Sequence, residues 1–212
     1  MLDILIPTYF RPHRIPILDK SLRENTRAPY RLVLMIEPQD VDSLAAAEKI
    51  DAKVIVGSFG SYENAMNTGY FLTDHPFFFL GVDDIEFTED WDVVPLKLLQ
   101  TRSELAVIGH RTMGKDCPPE GIYSCHFTVR RSFVRTSTLV AGMPNLVFYP
   151  YYHHECDREL FWYARNMGVY QSCPESVILN DQPQDATREK TTSKDGIDRH
   201  TYEQRRHLFR GA

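Results

Sequence analysis

The sequence predicts an α/β fold in which a central, mostly parallel sheet is flanked by helices within a single domain of 212 residues. The first hundred residues contain four short, almost continuously apolar runs, at 2–6, 30–36, 53–56 and 76–82. Segments with helical spacing separate these runs. Strands that are apolar on both faces are typical of parallel sheets covered on both sides by helices. Such a sheet binds its ligands at the carboxyl ends of its strands.

Each element of the first half has a local signal. Pro7, Pro38 and Gly57 follow the first three strands, and proline and glycine commonly interrupt regular structure. The helices are predicted at 15–25, where Ile17, Leu18 and Leu22 have helical spacing, at 41–50, which is rich in alanine, and at 61–73.

The second half is less regular. We expect helices at 91–102, 154–167 and 198–209, and strands at 105–109, 125–130, 169–172 and 176–179. The polar stretch 181–197 is predicted to be a mobile loop. No segment has the composition of a linker, so we expect one domain.

Composition excludes several classes of protein. The longest apolar run has six residues, 77–82, whereas a membrane span needs about 20. The amino terminus lacks the basic region of a signal peptide. The four cysteines show no C-x-x-C spacing, which argues against a structural zinc site, and we expect reduced thiols in a cytoplasmic protein. Residues 1–100 carry seven more acidic than basic side chains, which is unlike a simple nucleic-acid binder, and residues 101–212 carry two more basic than acidic ones.

An acidic cluster follows the fourth strand. Asp83, Asp84 and Glu86 come directly after the apolar run. Divalent cations such as Mg²⁺ and Mn²⁺ prefer oxygen ligands and are often held by one or two carboxylates together with substrate phosphates. The cluster therefore suggests a metal site, and the alternative is a solvated acidic loop.

Two further segments are candidates for chemistry. The segment 153–160, His-His-Glu-Cys-Asp-Arg-Glu-Leu, puts carboxylates into the first turn of a helix, where one would suit a general base; an ordinary acidic first turn is the alternative. The segment 57–69 has glycines after a strand and then Asn64 and Asn67 on a helix, an arrangement that allows close approach to a nucleotide, although a plain strand-to-helix turn explains it as well.

Taken in order, these segments resemble the GT-A (Rossmann-like, nucleotide-binding) glycosyltransferases, particularly the family 2-like group. The resemblance covers about residues 1–172. It rests on five segments, which are 4–9 (Ile-Leu-Ile-Pro-Thr-Tyr), Glu37 at the end of the second strand, 64–69 (Asn-Ala-Met-Asn-Thr-Gly), 82–84 (Val-Asp-Asp) and 156–160 (Cys-Asp-Arg-Glu-Leu) followed by Arg165 and Gly168.

The resemblance implies a donor half at 1–100 and an acceptor half at 101–212. In the donor half it implies that a nucleoside-diphosphate sugar, preferably a UDP-sugar, binds with Mn²⁺ or Mg²⁺. The residues expected to bind it are Pro7, Thr8, Tyr9, Arg11, Glu37, Asn64, Asn67, Asp83 and Lys194, and the expected metal ligands are Asp84, Asp83, Glu86 and His200. Asp157 is expected to be the catalytic base of an inverting hexosyl or pentosyl transfer, with Glu155 as the alternative.

Three departures from the family pattern affect these assignments. Val82 replaces the first acid of the D-x-D element, which shifts the metal onto the neighbouring acids. Cys156 replaces the acid before the base, which leaves the choice between Glu155 and Asp157 open. Met66 replaces an arginine, so another cation must neutralise the diphosphate, and Arg11, Lys190 and Lys194 are the candidates.

The acceptor is the least determined part. The short, single-domain chain resembles the phage TET-associated glycosyltransferases, which implies 5-hydroxymethylcytosine in DNA as one acceptor. A polysaccharide or a protein is the alternative acceptor. Arginines expected to contact DNA phosphates are Arg130, Arg131, Arg135, Arg199, Arg205, Arg206 and Arg210, and aromatic residues expected to stack on an extruded base are Tyr149, Tyr151, Tyr152 and Trp162. Core aromatics and solvated arginines are the plainer interpretation.

Two other classes of function stay open at this stage. A metal-dependent nuclease or phosphatase also uses carboxylate clusters, although the P-D…E-x-K spacing is absent. A non-catalytic module that binds a nucleotide-sugar would explain the altered D-x-D element. The sequence leaves the oligomeric state open.

Overall fold

The structure is a computed structural model that describes residues 1–114, 124–180, 185, 189 and 194–210. The described residues form one eight-stranded sheet with the order β3-β2-β1-β4-β7-β6-β8-β5. The strands are β1 (Leu2–Thr8), β2 (Tyr30–Ile36), β3 (Lys53–Val56), β4 (Phe77–Leu80), β5 (Ile85–Phe87), β6 (Val107–Gly114), β7 (Phe127–Arg130) and β8 (Tyr170–Asn180). The helices are α1 (Arg14–Asn25), α2 (Val41–Ala47), α3 (Tyr62–Phe71), α4 (Val93–Thr101), α5 (Arg131–Thr136), α6 (Cys156–Asn166) and α7 (Asp195–Arg205), followed by a 3-10 helix (Arg206–Leu208).

Both faces of the sheet are covered, as the apolar strands predict. Along β1, Leu2, Ile4 and Ile6 pack into one apolar cluster together with α1 and α4. Leu5 points to the opposite face and packs into a second cluster that includes residues of α3, α6 and α7. Because side chains alternate along a strand, a strand buried on both sides must be apolar throughout. The predicted α/β fold is confirmed.

The sheet is mixed. β1, β2, β3 and β4 pair in parallel, as does β6 with β8. The strand β7 pairs antiparallel with both β4 and β6, and β5 pairs antiparallel with β8. The parallel part comes first in the chain and carries the loops that the sequence analysis singled out.

Several predicted boundaries were wrong for identifiable reasons. β1 continues through Pro7, since Pro7 lies beyond Leu5, the last residue of β1 paired with β4. The two short strands predicted at 169–172 and 176–179 are one strand, β8. Its pairing with β6 shifts register after Cys173, so Pro174 lies where the ladder is interrupted.

Two short elements were missed, and one predicted loop was too long. β5 lies inside the acidic segment, and α5 follows β7 directly. Helix α7 begins at Asp195, so residues 195–197 are helical, and most of the rest of the predicted mobile loop, Lys190 included, lies outside the described residues. The same is true of Cys117, whereas Cys156 and Cys173 are free thiols. None of the helices described here is both long and apolar enough to cross a membrane.

Candidate active site

The carboxyl ends of β1 and β4 bring together a hydroxyl, a guanidinium and two carboxylates. The Thr8 hydroxyl donates to Asp83 Oδ2 at 2.9 Å. Arg11 Nη1 lies 2.9 Å from Asp83 Oδ1 and 3.3 Å from Asp84 Oδ2. The parallel pairing of β1 with β4 makes this meeting possible, because both strands end at the same edge of the sheet. The structure therefore brings together Thr8, Arg11, Asp83 and Asp84, which the sequence offered as separate candidates for binding the donor and the metal.

Burial dominates the electrostatics of the acidic pair. Both aspartates are buried. Burial and the neighbouring charge of Asp83 raise the pKa of Asp84 to about 6, against the opposing effect of Arg11. Burial also raises the pKa of Asp83, and Arg11 and Thr8 oppose it. An added positive charge close to these two carboxylates would therefore stabilise their ionised forms.

A third carboxylate reaches Arg11 from the second half of the chain. Asp185 accepts two hydrogen bonds from Arg11, at 2.8 and 3.0 Å. Burial lowers the pKa of the guanidinium, but these bonds and the charge of Asp83 outweigh it and raise the pKa overall. The sequence analysis did not single out Asp185.

The acidic pair fits part of a metal site. Within the described ranges, no three His, Cys, Asp or Glu side chains are grouped to hold an ion. Glu86 lies on the opposite side of β5 from the buried Ile85 and Phe87. His200 is on an exposed part of α7 and contacts Gln204 at 3.0 Å. Asp83 and Asp84 suit a hard divalent cation whose remaining ligands are phosphate oxygens, with Arg11 as a competing cation.

The loops after β2 and β3 are tied together beside this pair. Glu37 Oε1 accepts the N–H groups of Phe59 and Gly60 at 2.9 and 3.1 Å. The Asn64 amide donates to the Phe59 carbonyl at 3.1 Å. Glu37 and Asn64 thus shape the backbone of the β3–α3 loop, which lies at the same sheet edge as Pro7 and Thr8.

The side chain of Asn67 binds the backbone of a neighbouring segment. Its Oδ1 accepts the N–H groups of Val147 and Phe148 at 3.0 and 3.1 Å, and its Nδ2 donates to the Phe148 carbonyl at 2.9 Å. All of these partners are backbone groups, so Asn67 fixes the 147–148 segment against α3. A direct contact between Asn67 and a nucleotide stays a prediction.

The two candidate bases at the start of α6, Glu155 and Asp157, differ in backbone conformation and in hydrogen-bond partners. Glu155 has a left-handed backbone with φ of 72°, and its carboxylate pairs with Arg158 at 2.7 Å. Asp157 is half-buried in the first turn, and its Oδ1 accepts the Arg158 N–H at 2.8 Å. Burial raises the pKa of Asp157, opposed by this N–H and the Cys125 thiol. A general base must be able to take a proton, and Glu155 is already held in an ion pair, so Asp157 is better suited.

The first turn of α3 links α6 to the segment that leads into the acidic pair. The Tyr62 hydroxyl donates to the Gly81 carbonyl at 3.3 Å, two residues before Asp83. Glu63 is fully buried, and neither of its carboxylate oxygens has a hydrogen-bond partner among the described residues. Burial, and then the charge of Glu63, raise the pKa of the Cys156 thiol, which precedes Asp157. Tyr62 and Glu63 were not among the site residues expected from the sequence. The spacing of Glu63 from the apolar Met66 and Tyr70 on one helix face was the available signal.

Several arginines and aromatic residues expected at an acceptor surface form hydrogen bonds inside the fold. Arg131 is buried and donates to Asp3 and to backbone carbonyls of the β4–α3 region. Arg205 forms two hydrogen bonds with Glu159, and the Tyr151 hydroxyl donates to the same carboxylate. Assigning Arg131 to DNA phosphates was wrong, because its charge is needed in the core.

The remaining members of those sets lie nearer the surface. Arg130 is half-buried and donates to backbone carbonyls such as that of Leu105. The Lys194 ammonium lies 4.1 Å from the Tyr152 ring centroid. Arg210 stacks on Trp162 at 4.5 Å, and Arg205 stacks on Tyr149 at 3.6 Å. The exposed arginines of the set are Arg135, Arg199 and Arg206.

Comparison with known proteins adds evidence on the fold. No family model matches the chain, and no curated protein matches it in sequence. Glucosyl-3-phosphoglycerate synthase from Mycobacterium tuberculosis, solved with Mn²⁺, UDP and glucosyl-3-phosphoglycerate, superposes with a TM-score of 0.69 at 10% identity over 95% of this chain and 79% of that one. The chain has the GT-A glycosyltransferase fold.

A second enzyme gives the same architecture. TarS of S. aureus (residues 1–349), solved with UDP-GlcNAc, matches with a TM-score of 0.62 at 9% identity. The match covers 87% of this chain and 59% of TarS 1–349, so this GT-A domain spans well under two thirds of that chain. A further structure of the mycobacterial synthase, with Mn²⁺, UDP-glucose and phosphoglyceric acid, has a TM-score of 0.67 at 12% identity.

Proposed function

We propose that this chain is a glycosyltransferase that moves a sugar, hexose or pentose, from a UDP-sugar to an acceptor hydroxyl with the help of Mn²⁺ or Mg²⁺. One observation carries the proposal. A buried carboxylate pair, Asp83 and Asp84, lies at the carboxyl ends of the parallel strands beside Arg11, and α6 carries a half-buried carboxylate, Asp157, in its first turn. The GT-A fold of the chain, shared with enzymes solved with UDP-sugars, supports the nature of the donor.

In the donor half, the chain's own groups bind and orient the nucleotide-sugar. Pro7, Thr8, Tyr9 and Glu37 line the edge where the parallel strands end. Asp83 and Asp84 would hold the divalent ion, which when bound neutralises charge on the departing diphosphate. Arg11, with Lys194 from the other half, supplies further positive charge.

In the acceptor half, Asp157 takes the proton of the attacking hydroxyl. The hydroxyl oxygen bonds to the anomeric carbon as the bond to the diphosphate breaks, and the proton passes to the Asp157 carboxylate. A single displacement without an enzyme nucleophile inverts the anomeric configuration.

The class of acceptor is a finer proposal. Hydroxymethylated DNA is supported by the exposed Arg135, Arg199 and Arg206 alone, because Arg131 and Arg205 are engaged inside the fold. A polysaccharide or protein hydroxyl needs no basic surface and is therefore the alternative. The free, buried thiols of Cys156 and Cys173 support a reducing compartment such as the cytoplasm.

The first test needs no knowledge of the acceptor. Thermal unfolding is measured with UDP, UDP-glucose and UDP-GlcNAc, each with Mn²⁺ and with EDTA, since a ligand of the folded state raises the Tm. We expect a manganese-dependent rise for wild-type protein and its loss in Asp84→Asn. The absence of any rise with all three ligands would overturn the proposal.

The second test separates the two candidate bases. UDP release from the bound donor, with water or an added hydroxyl as acceptor, is followed for Asp157→Asn, Glu155→Gln and the exposed control Glu104→Gln. We expect Asp157→Asn to lose about 10²-fold or more in turnover while donor binding is retained, because general-base catalysis contributes that much. A comparable loss of turnover in Glu155→Gln with an active Asp157→Asn would assign the base to Glu155. Full activity in both variants would show that neither carboxylate is the base.

A further inference from the structure

One carboxylate of α7 holds three consecutive backbone groups ahead of α6. Asp198 Oδ1 accepts the N–H of Tyr152 at 2.8 Å, and Oδ2 accepts those of His153 and His154 at 2.8 and 2.9 Å. Asp198 is 1% exposed, so these bonds are shielded from water. Hydrogen bonds to a charged acceptor are roughly twice as strong as neutral ones.

The chain becomes strained immediately after this contact. Glu155 follows His154 and has φ of 72°, a left-handed conformation that is unfavourable for a residue with a Cβ. Such conformations persist only where the surrounding structure fixes them. Helix α6 starts at the next residue, Cys156, and Asp157 follows it. The Asp198 contact and the strained turn together set the direction in which α6 begins.

Helix α6 lacks the usual device for fixing its start. Its N-cap residue, Glu155, makes no side-chain capping hydrogen bond. A polar N-cap side chain ordinarily satisfies the free N–H groups of the first turn and holds its geometry. The contacts of α7 act just before the helix, on the N–H groups of the residues 152–154 that lead into it.

A second anchor keeps α7 in place on α6. Arg205 binds the buried Glu159 through two hydrogen bonds, at 2.6 and 3.0 Å, and Tyr151 donates to the same carboxylate at 2.6 Å. Asp198 and Arg205 lie about two helical turns apart on α7. Both ends of the helix are therefore docked through charged groups.

We propose that Asp198 is a positioning residue that orients the Asp157 carboxylate by holding the N–H groups of residues 152–154. This inference rests on the proposed function. It assigns Asp198 no contact with the substrate. The orientation of the Asp157 carboxylate would then depend on α7, which begins at Asp195, 38 residues after Asp157.

The decisive variant is Asp198→Asn, which keeps the size of the side chain. An amide has one acceptor oxygen, and its NH₂ group would face at least one of the three N–H donors. Glu203→Gln is the matched control, because Glu203 lies on the exposed part of the same helix and pairs with Arg206 at the surface. Asp198→Glu keeps the charge and serves as the second variant if Asp198→Asn does not fold.

Two readouts are combined. Amide hydrogen exchange at residues 152–154 reports the contact, and UDP release together with donor Kd reports its catalytic consequence. For Asp198→Asn we expect exchange to quicken about 10-fold or more, kcat to fall about 10-fold or more, and donor Kd to stay within about 2-fold. Asp198→Glu should recover part of kcat, and Glu203→Gln should match wild type in all three.

The outcomes are separable. Unchanged exchange in the variants, or faster exchange with unchanged kcat, overturns the positioning role. A parallel loss of kcat and donor affinity also overturns it, since it indicates general loosening of the fold. Wild-type protein that releases no UDP from any UDP-sugar overturns the proposed function and the catalytic part of the inference together, whereas amide exchange still decides whether Asp198 holds residues 152–154.

Discussion

Replacing Glu63 by glutamine should change how the stability of the protein depends on pH. Glu63 is fully buried in the first turn of α3, and burial raises the pKa of its carboxyl to about 8 from an ordinary value of 4.5. A raised carboxyl pKa contributes stability that is present below about 4.5 and is lost as the pH rises through about 8. Between these limits the folded state holds one more proton than the unfolded state. The free energy of unfolding therefore falls by about 1.4 kcal/mol for each pH unit, or about 2.5 kcal/mol from pH 5 to pH 7.

Two buried histidines act in the opposite direction. Burial lowers the pKa of His110 to about 3 and that of His126 to about 4, from 6.5. A depressed histidine pKa contributes stability that is present above about 6.5 and is lost as the pH falls through the folded value. Each histidine therefore costs the folded state about 2 kcal/mol on going from pH 7 to pH 5. Because the two effects oppose each other, the wild-type profile alone is uninformative, and variants must be compared.

The assay is urea unfolding at pH 5 and pH 7 for the wild type, Glu63→Gln, His126→Phe and the exposed control Glu203→Gln. Relative to wild type, the stability at pH 5 minus that at pH 7 should fall by about 2.5 kcal/mol in Glu63→Gln and rise by about 2 kcal/mol in His126→Phe. Glu203→Gln should stay close to wild type. A Glu63→Gln variant with the wild-type pH difference would show that Glu63 is ionised in the folded protein and would refute the reasoning.

Three further substitutions test the packing around the site by urea unfolding at pH 7. Arg131→Met leaves the buried carboxylate of Asp3 without its closest buried cation and should cost about 3–5 kcal/mol; a loss under about 1 kcal/mol would mean that the pair is not buried in solution. Asn67→Ala removes the partners of two N–H groups and one carbonyl and should cost about 2–4 kcal/mol, whereas a neutral result would show that water replaces the amide. Gly81→Ala would put a Cβ 2.6 Å from a ring carbon of Phe79 and should cost about 1–3 kcal/mol, and a stable variant would mean that the ring moves aside.

The parallel half of the sheet was predictable because its signal is local. Strands 30–36 and 53–56 were predicted with the bounds they have in the structure. Each contains at least three consecutive apolar residues and is followed within two residues by proline or glycine. β5 could not be found this way, since it has three residues inside an acidic segment, and its only described partner strand, β8, lies about 90 residues away. Three residues are too few to show the periodicity of a strand. The hydrogen bonds that make this segment a strand come from a partner far along the chain.

The sequence singled out candidate site residues one at a time and did not show their contacts. The acidic pair and Asp157 stand out because apolar or helical segments frame them. The partners of Arg11 were only partly accessible, because Asp185 is 174 residues away and nothing local marks it. Arg131 was misassigned for a related reason. A basic residue has the same appearance in a sequence whether it meets solvent or neutralises a buried aspartate.

The first turn of α3 lies near both the acidic pair and Asp157. Tyr62 donates to the Gly81 carbonyl, two residues before Asp83, and the charge of the next residue, Glu63, acts on Cys156 beside Asp157. Two adjacent residues at the start of a packed helix have a fixed relative position, unlike residues on separate loops. We therefore expect substitutions in α3 to alter the separation between the acidic pair and Asp157. Helix α7, through Asp198, sets the orientation of the chain that enters α6. It follows that substitutions in α3 should change donor and base geometry together, whereas substitutions at Asp198 should change the base alone.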